Sequence, residues 1–349
     1  MLPESNETGT NRTLLVFRFS AMGDVAMVAV VLREIIQQHP HLTLVVVSRA
    51  TFKPFFADIP GVVFHPFYPH GTHRGIRGIY RLFTELLHYT PHGVADLHFN
   101  IRSRALTTLF RLNGIPVRQL DKGRAEKKAL TRARHKIKKP LRPMVERYAD
   151  VFRALDYPLV LSHGLQSRPL PLPDRAKSLL DGGSPTKVGI APFARHAPKV
   201  YPLSRMEHVV DYLDRQGNTV LIFGNGPEEQ QVAQSWQERF NNVHSLVGWG
   251  TLSDELAVIS HLDVMLTMDS ANMHMASLMG VRVLSVWGPT HPYAGFLGYG
   301  QQLGDCIQVE HPARPNSVYG QKPCLCDGVD SMELISPEMI IGKLKSIGL

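Results

Sequence analysis

The residues with the clearest chemical potential form a polar segment, Asp269-Ser270-Ala271-Asn272-Met273-His274, in the last third of the chain. A Gly288-Pro289-Thr290 loop follows fourteen residues after the histidine. A carboxylate, a hydroxyl and an imidazole at this spacing can bind the hydroxyl groups and phosphates of a nucleotide sugar. Helix capping by Asp269 and Ser270 is the ordinary alternative, although a cap requires neither the histidine nor the later loop.

Apolar runs on both sides of this segment predict the elements that position it. Residues 264–267 predict a short buried strand, residues 272–279 a helix ended by Gly280, and residues 281–287 the next strand. The first amide N–H groups of a helix lack partners within the helix, and the helix dipole favours negative charge there. The polar segment therefore lies where α/β proteins bind anions.

Three further loops carry polar side chains after predicted strands. Ser20–Asp24 follows a strand at 14–19, Pro192–Lys199 follows one that begins at Lys187, and Gly224–Glu229 follows one at 219–223. Each loop has an ordinary alternative: an N-cap for the first, solvated charges for the second and a tight turn for the third. Open α/β sheets bind ligands at the carboxyl ends of their strands, so all three loops are candidates for one functional site.

The wider pattern alternates strands and helices on both sides of a proline-rich segment at 168–173, which suits a stiff linker. This pattern predicts an α/β protein with two doubly wound domains and a cleft between them. We expect an N-terminal domain at 1–168 and a C-terminal domain at 175–349, with the option that the last helix packs back on the first domain. The further predicted elements are a helix at 25–38, strands at 42–47, 62–64 and 93–98, and a helix at 79–89.

Composition leaves room for two hydrophobic cores, since 44% of the 349 residues are hydrophobic. No apolar run reaches eighteen residues, and the polar first twelve residues lack the apolar core of a signal peptide. Three cysteines fit a reducing compartment, and Cys324-Leu325-Cys326 alone is too sparse for a zinc site. We therefore expect a cytoplasmic protein without a bound metal.

Positive charge is concentrated between Arg118 and Arg147, where twelve Lys and Arg residues and three acidic residues give 12 − 3 = +9, against +8 for the whole chain. A solvated helix face, a nucleic-acid-binding surface, and a docking surface for an anionic membrane or phosphorylated lipid all fit such a run. The sequence does not rank these three alternatives.

These residues, in this order, resemble glycosyltransferase family 9, the family of ADP-heptose:lipopolysaccharide heptosyltransferases, from Leu14 to about Gly300. The matching segments are Gly23-Asp24, Ala191–Ala194 with Lys199, and Asp269–His274 with the Gly-Pro-Thr loop. The resemblance implies a GT-B fold of two Rossmann-like domains, with the acceptor bound by the first and the nucleotide sugar by the second. It also implies an inverting reaction that uses no metal and no cofactor, and the chain has no Asp-x-Asp pair.

The resemblance also implies roles for individual residues. Asp24 would be the catalytic base that takes the proton of the acceptor hydroxyl. Lys199 and the helix start at Ser270–Asn272 would stabilise the departing diphosphate, with Thr290 nearby. Asp269 would bind a sugar hydroxyl, His274 would donate to a phosphate or orient Asp269, and Ala271 replaces the glycine that the family usually has there. Either Glu228 or Glu229 would bind the nucleotide ribose.

On the acceptor side, the resemblance implies an anionic, lipid-linked glycan, which a basic surface on the first domain would suit. Arg102, Arg104 and Lys136 are the acceptor-binding candidates. ADP-heptose is the default donor, a peripheral contact with the inner face of the inner membrane is a further expectation, and no nucleic-acid partner is expected. The rival functions are a non-catalytic nucleotide-binding module in which Asp24 is only a cap, a nucleic-acid-binding protein that uses the basic run, and an epimerase of the same fold.

Overall fold

A computed structural model describes residues 12–180 and 186–349. The polar stretch at 1–11, on which the expectation of no signal peptide rests, lies outside these residues. The chain divides into two compact units. The first contains Met1–Lys122 and Met144–Ser162, and the second contains Gly123–Pro143 and His163–Leu349.

Helices and strands alternate along most of the described chain. The helices are α1 Met22–Gln38, α2 Gly75–Leu87, α3 Ile101–Leu112, α4 Arg124–Thr131, α5 Met144–Arg153, α6 Asp174–Leu180, α7 Leu203–Arg215, α8 Pro227–Arg239, α9 Leu252–Ile259, α10 Ala271–Leu278 and α11 Pro337–Lys345. The strands are β1 Arg12–Phe17, β2 Leu42–Arg49, β3 Val62–Phe67, β4 Gly93–Asp96, β5 Val117–Gln119, β6 Lys187–Ala191, β7 Thr219–Ile222, β8 Val243–Ser245, β9 Val264–Met268, β10 Arg282–Val286, β11 Cys306–Ile307, β12 Leu325–Cys326 and β13 Val329–Asp330.

The first unit is built on a parallel sheet in the order β3-β2-β1-β4-β5. Its central strand is buried on both sides, from Leu14 to Phe17, as expected for a parallel sheet covered by helices on both faces. The strand order reverses between β1 and β4, so the loops that follow these two strands lie side by side. Such a switch point is where a doubly wound sheet binds ligands.

The second unit has a parallel sheet in the order β11-β10-β9-β6-β7-β8. Its switch point lies between β6 and β9, and β10 is the next strand beyond β9. Buried residues of these strands, such as Ile190 and Leu266, form one core with helix residues that include Trp236. The loops after β6, β9 and β10 therefore share one edge of this sheet.

Both units confirm the predicted α/β class with two doubly wound, Rossmann-like domains. Element ends differ from the sequence prediction by a few residues: the helix predicted at 272–279 is α10, and the helix predicted at 79–89 is α2, which begins at Gly75. No helix of the described residues is both long enough and apolar enough to cross a membrane.

The division of the chain differs from the predicted boundary after residue 168. Residues 123–143 group with the second unit because Leu130 and Leu141 are buried against Ala294. The last helix, α11, packs against α7 of the same unit, and the Tyr212 hydroxyl donates to the Leu349 carbonyl. The contacts of α11 in the second unit thus differ from the option that it packs on the first domain.

We expect the half-buried Glu255 on α9 to make the stability of the second unit depend on pH. Burial, with the nearby charge of Asp254, raises the pKa of Glu255 to about 7. The folded state therefore disfavours the carboxylate, and stability is lost as the pH rises from about 4.5, the ordinary value, through 7. We expect Glu255→Gln to raise the free energy of unfolding at pH 8 by about 1–3 kcal/mol and to change nothing near pH 4.

Urea unfolding at both pH values measures this effect, with the exposed Glu238→Gln on α8 as the control. A gain for Glu255→Gln that is equal at pH 4 and pH 8 would contradict the assignment, because a neutral packing effect does not depend on ionisation.

Candidate functional sites of the two units

Asp24 lies in the first turn of α1, directly after β1. The N-cap of this helix is Ala21 and no side chain caps it, so Asp24 is not a cap. One carboxylate oxygen, Oδ2, lies 2.5 Å from Nη2 of Arg18, and the hydroxyl of Tyr148 donates to the other oxygen, Oδ1, at 3.0 Å. The side chain is 23% exposed. Two partners thus orient a carboxylate that keeps access to solvent and has lone pairs left for a substrate hydroxyl.

Arg18 holds the carboxyl end of β1 in place. Its Nη1 donates to the Leu97 carbonyl just beyond β4 at 2.7 Å, and the Ser48 hydroxyl donates to the Arg18 carbonyl. The sequence analysis placed Arg18 within the predicted strand and gave it no role. The ion pair with Asp24 and the hydrogen bond to Leu97 allow the Arg18 guanidinium to be buried, because a buried charge is stable only when it is paired and hydrogen-bonded.

The loop between β4 and α3 is shaped by the buried side chain of Asp96. Oδ1 of Asp96 accepts the backbone N–H groups of His98 and Phe99, at 3.1 and 2.8 Å, and Asn100 then caps α3 in a capping box with Ser103. This loop presents His98 beside the Asp24 loop.

His98 is a candidate that the sequence analysis missed. Burial, reinforced by the charges of Arg18 and Lys122, lowers the pKa of His98 to about 3, so its ring is neutral at physiological pH. Its Nδ1 is buried without a hydrogen-bond partner among the described residues. A neutral imidazole within range of the Asp24 charge adds a polar group to the same switch point.

Arg102 and Arg104 lie in the first turn of α3 and are exposed. The guanidinium of Arg104 lies 5.8 Å from the centre of the Phe99 ring. Because β4 neighbours β1, the structure brings these two arginines to the edge of the sheet that carries Asp24.

In the second unit, Lys199 and Asp269 form an ion pair. Nζ of Lys199 lies 2.9 Å from Oδ2 of Asp269, with the two side chains 13% and 10% exposed. Lys199 follows β6 and Asp269 follows β9, and these are the two strands at the switch point. A Cβ at Gly320 would lie 2.3 Å from the Lys199 side chain and 3.4 Å from Cγ2 of Thr290, so all three residues are close together.

The start of α10 has no capping side chain, although Ser270 occupies the N-cap position. The Ser270 hydroxyl instead lies 3.0 Å from the Thr267 hydroxyl. The expected capping alternative for Asp269 and Ser270 is therefore not what the structure shows. Ala271 is the first residue of the helix, and His274 is buried in its first turn.

Thr290 completes this group of residues after β10. Its side-chain hydroxyl is buried and has no hydrogen-bond partner in the described part of the chain. The loop is held by Arg314, which is fully buried and whose guanidinium donates to the carbonyls of Trp287, Gly288 and Thr290. Arg314 is a functional candidate that could not be recognised from the sequence, because its partners are mostly backbone atoms, which leave no pattern in the side chains.

The two ribose candidates differ in their surroundings. Glu229 accepts the backbone N–H of Asn225 at 2.6 Å, which closes the turn at the start of α8. Glu228 is exposed on the first turn of the same helix. Glu228 is thus the residue whose carboxylate remains open to a ligand.

Lys136 does not join the other acceptor candidates. It belongs to the second unit, where its amino group donates to the carbonyls of Pro312, Ala313 and Pro315. Burial lowers its pKa. All three N–H donors of Lys136 have partners within the fold, so none is left to bind an acceptor.

The basic run as a whole does not form a first-domain surface, which corrects that expectation. Residues 123–143 lie in the second unit, Lys127 is buried over the Phe296 ring at 4.4 Å, and Lys138 pairs with Glu310. In the first unit, Arg147 is buried and pairs with Asp121 at 3.2 Å. Much of the charge in this run stabilises the fold.

One group of potential metal ligands occurs among the described residues: His65, His73 and Glu85, whose ligand atoms lie within 4.8 Å of one another. Nδ1 of His73 accepts the backbone N–H of Tyr68 at 3.1 Å, so the proton of the neutral ring is on Nε2. That proton points to Glu85, 3.0 Å away. The histidine is a hydrogen-bond donor here rather than a ligand.

Comparison with known proteins identifies the family. The model of "Glycosyltransferase family 9 (heptosyltransferase)" matches residues 80–322, which is more than half of the chain. The chain belongs to glycosyltransferase family 9. Lipooligosaccharide heptosyltransferase 2 of Haemophilus influenzae is 26% identical over 166 residues, 46% of each protein. Its Campylobacter jejuni counterpart is 24% identical over 136 residues, 38% of this chain and 42% of the relative. The chain thus spans less than half the length of the curated relatives it matches.

Solved structures of one family 9 glycosyltransferase and two heptosyltransferases share the fold over nearly their whole length. A Veillonella parvula glycosyltransferase has a TM-score of 0.72 at 18% identity, covering 96% of this chain and 97% of its own. Escherichia coli ADP-heptose lps heptosyltransferase II has a TM-score of 0.67 at 19% identity, covering 96% and 98%. Escherichia coli heptosyltransferase WaaC, solved with ADP, gives 0.67 at 18% identity, covering 96% and 99%. The predicted GT-B fold of two Rossmann-like domains is confirmed.

Proposed function

We propose that this family 9 member is an inverting, metal-independent glycosyltransferase that moves heptose from ADP-heptose to a lipopolysaccharide core or a related glycan acceptor. The observation that carries the proposal is the group at the switch point of the second unit. There, Lys199 supplies a positive charge, and the start of α10 supplies backbone N–H groups that no side chain caps. The buried Thr290 hydroxyl belongs to the same group. Such a group suits a diphosphate.

The chemistry follows from these groups. The acceptor hydroxyl oxygen attacks the anomeric carbon while the bond from that carbon to the diphosphate oxygen breaks, and Asp24 takes the hydroxyl proton. The leaving diphosphate gains negative charge, which Lys199 and the α10 amides stabilise. Asp269 accepts a hydrogen bond from a sugar hydroxyl and keeps Lys199 in position, and Glu228 binds the ribose. The lack of an Asp-x-Asp pair supports a reaction without a metal.

The acceptor is an anionic, lipid-linked glycan, for which Arg102 and Arg104 supply charge at the edge of the sheet that carries Asp24. Relatives named as lipooligosaccharide heptosyltransferases support this class of acceptor. We place the protein in the cytoplasm with peripheral contact at the inner face of the inner membrane, where such an acceptor would be presented.

A nucleotide panel tests the donor. We expect ADP to raise the melting temperature more than GDP, UDP, CDP or dTDP, equally with magnesium and with EDTA, because a ligand of the folded state stabilises it by mass action. Lys199→Gln should abolish most of the shift. Lys187→Gln is the matched control, because Lys187 begins β6 and so lies at the opposite end of that strand from the segment that carries Lys199.

Each result decides one part of the proposal. A larger shift with another nucleotide would replace ADP as the donor nucleotide, and a shift that needs magnesium would overturn metal independence. An unchanged ADP shift in Lys199→Gln would remove Lys199 from the site, and no shift with any nucleotide would overturn donor binding.

A further inference from the structure

Two isoleucines at one edge of the first unit are almost completely exposed. Ile76 in the first turn of α2 is 90% exposed, and Ile101 at the start of α3 is 86% exposed. Both helices follow strands of the same parallel sheet, so both begin at its carboxyl edge. They pack against each other, with the Phe83 and Phe110 rings 4.9 Å apart. The two isoleucines therefore lie at the same end of neighbouring helices.

The apolar surface continues along α2. Tyr80 is 59% exposed and lies four residues after Ile76, on the same face of the helix. Tyr68, in the loop that leads to α2, is 45% exposed. Scattered exposed apolar residues are ordinary, but four at one end of a helix pair mark an interaction surface.

Five exposed arginines lie within three residues of Ile76, Tyr80 or Ile101 in the sequence: Arg74, Arg77, Arg81, Arg102 and Arg104. Arg81 pairs with Glu85, whereas the other four form no ion pair within residues 12–180 and 186–349. Neither residues 68–84 nor residues 97–112 contain an Asp or a Glu. The surface therefore joins exposed aliphatic and aromatic groups to uncompensated positive charge.

We propose that this surface, formed by Tyr68, Ile76, Tyr80 and Ile101 with the five arginines, docks the protein on an anionic phospholipid bilayer. The apolar side chains enter the headgroup boundary while the arginines meet lipid phosphates, the combination that interfacial helices use. A second copy of the chain fits poorly, since two such surfaces would repel each other. A nucleic acid would match the arginines but leave the isoleucines in water.

The position of the surface agrees with the proposed function, on which this inference rests for its biological purpose. Helix α3 follows β4, and β4 neighbours β1, which is followed by α1 with Asp24 in its first turn. Docking through this edge brings the lipid surface to the edge of the sheet where the proposed base lies. A lipid-linked acceptor would then reach Asp24 without leaving the bilayer.

Co-sedimentation with vesicles tests the docking surface on the full chain, without donor or acceptor. We expect binding to phosphatidylcholine vesicles that contain phosphatidylglycerol, and much weaker binding to pure phosphatidylcholine or at high salt. Ile76→Glu/Ile101→Glu should weaken binding to the anionic vesicles about tenfold or more, since two apolar anchors are lost and two negative charges are added.

The matched control is Leu112→Glu/Val160→Glu. These two residues of the same unit are 78% and 77% exposed. Leu112 ends α3, and Val160 is hydrogen-bonded to Gln38 at the end of α1, so both lie toward the opposite edge of the sheet. This variant adds the same charge and should bind vesicles as the unmodified protein does.

The inference is overturned if the unmodified protein does not bind the anionic vesicles, if the isoleucine variant binds them normally, or if the control loses as much affinity. Binding to an oligonucleotide that competes with the vesicles and is unaffected by the isoleucine change would also overturn it. The ADP melting shift is measured on the same variants. An ADP shift that is absent from the unmodified protein as well as from the variants would count against the proposed function and leave the docking result standing.

Discussion

Asp24→Asn should lower the rate of sugar transfer by about 10²–10⁴-fold while the melting shift with ADP is retained. The asparagine has nearly the same shape and still accepts the Tyr148 hydroxyl, but it cannot take the proton of the acceptor. The proposed donor-binding residues Lys199, Asp269 and Thr290 are in the other unit. Steady-state kinetics with ADP-heptose and a lipopolysaccharide-core acceptor, together with the ADP melting shift, measures both effects.

The substitution also leaves the buried Arg18 guanidinium without its carboxylate, so lost stability must be separated from lost catalysis. Tyr148→Phe is informative, because it removes one hydrogen bond to Asp24 and keeps the carboxylate. We expect it to lower the rate by about 100-fold at most, since a hydrogen bond to a charged group is worth about 1.5–3 kcal/mol. Its rate therefore bounds the part of the Asp24→Asn effect that comes from positioning.

Asp58→Asn is the matched control in the same unit. Asp58 also pairs with an arginine, Arg33, at 3.3 Å, but it precedes β3 rather than following a strand. Its rate should stay within twofold of the unmodified rate. An Asp24→Asn variant that stays within threefold of that rate would remove the base assignment, and a protein that binds ADP without transferring sugar under any condition would favour the non-catalytic module.

The positions of the main strands along the chain could be predicted from the sequence because parallel strands are buried on both faces. Leu14–Phe17 and Val264–Leu266 appear as continuous apolar runs for this reason, and Asp269, directly after β9, was correctly assigned to a loop at a strand end. The resemblance then connected these loops to one family. Local patterns and a few specific residues were sufficient for the fold.

The partners of the charged residues were not accessible in the same way. Arg18 has the sequence context of a strand end, yet its burial depends on the Leu97 carbonyl, 79 residues away. Lys136 was predicted to bind an acceptor from its place in a basic run, whereas its amino group meets three carbonyls 176–179 residues later in the chain. Contacts between distant residues, and contacts to backbone atoms in particular, leave no local signal.

The domain to which residues 123–143 belong also could not be predicted from local sequence. The proline-rich segment at 168–173 suggested a single crossing from the first domain to the second, but the chain enters the second unit at Gly123 and returns at Met144. The excursion is stabilised by Leu130 and Leu141, two apolar residues within a strongly basic run. Charge dominates the composition of this segment, whereas its few buried residues determine where it packs.

Arg314 holds the loop that follows β10. Its guanidinium is 0% exposed and donates to the carbonyls of Gly288, Trp287 and Thr290 at 2.5, 2.7 and 3.0 Å, as well as to Val309 and to the Gln308 side chain. Burial lowers its pKa. The nearby thiols of Cys324 and Cys326 are protonated at neutral pH, since burial raises the pKa of both. Arg314 therefore compensates its burial through oxygen acceptors rather than through a buried anion.

We expect Arg314→Met to lower the free energy of unfolding of the second unit by about 3–5 kcal/mol, because several buried carbonyls lose their donor at once. Arg314→Lys should lose less, since an ammonium retains the charge and three donors. Because the two units need not unfold together, hydrogen exchange of peptides from each unit is the appropriate measurement. Protection should fall across residues 287–290 and 307–314 and remain unchanged in β1 and β2.

Arg282→Met is the control that separates the effect of losing a buried guanidinium from the effect of losing a positive charge. Arg282 begins β10, the strand that leads into the loop held by Arg314. The Arg282 side chain is 46% exposed and pairs with Asp305. Asp305 keeps a second partner in Lys343, so this change should cost less than about 1 kcal/mol. Equal losses of protection in the two variants would mean that the loss of any arginine near β10, buried or exposed, has this effect. A loss confined to Arg314→Met, accompanied by a smaller ADP melting shift, would show that one buried guanidinium keeps the Thr290 loop in its binding geometry.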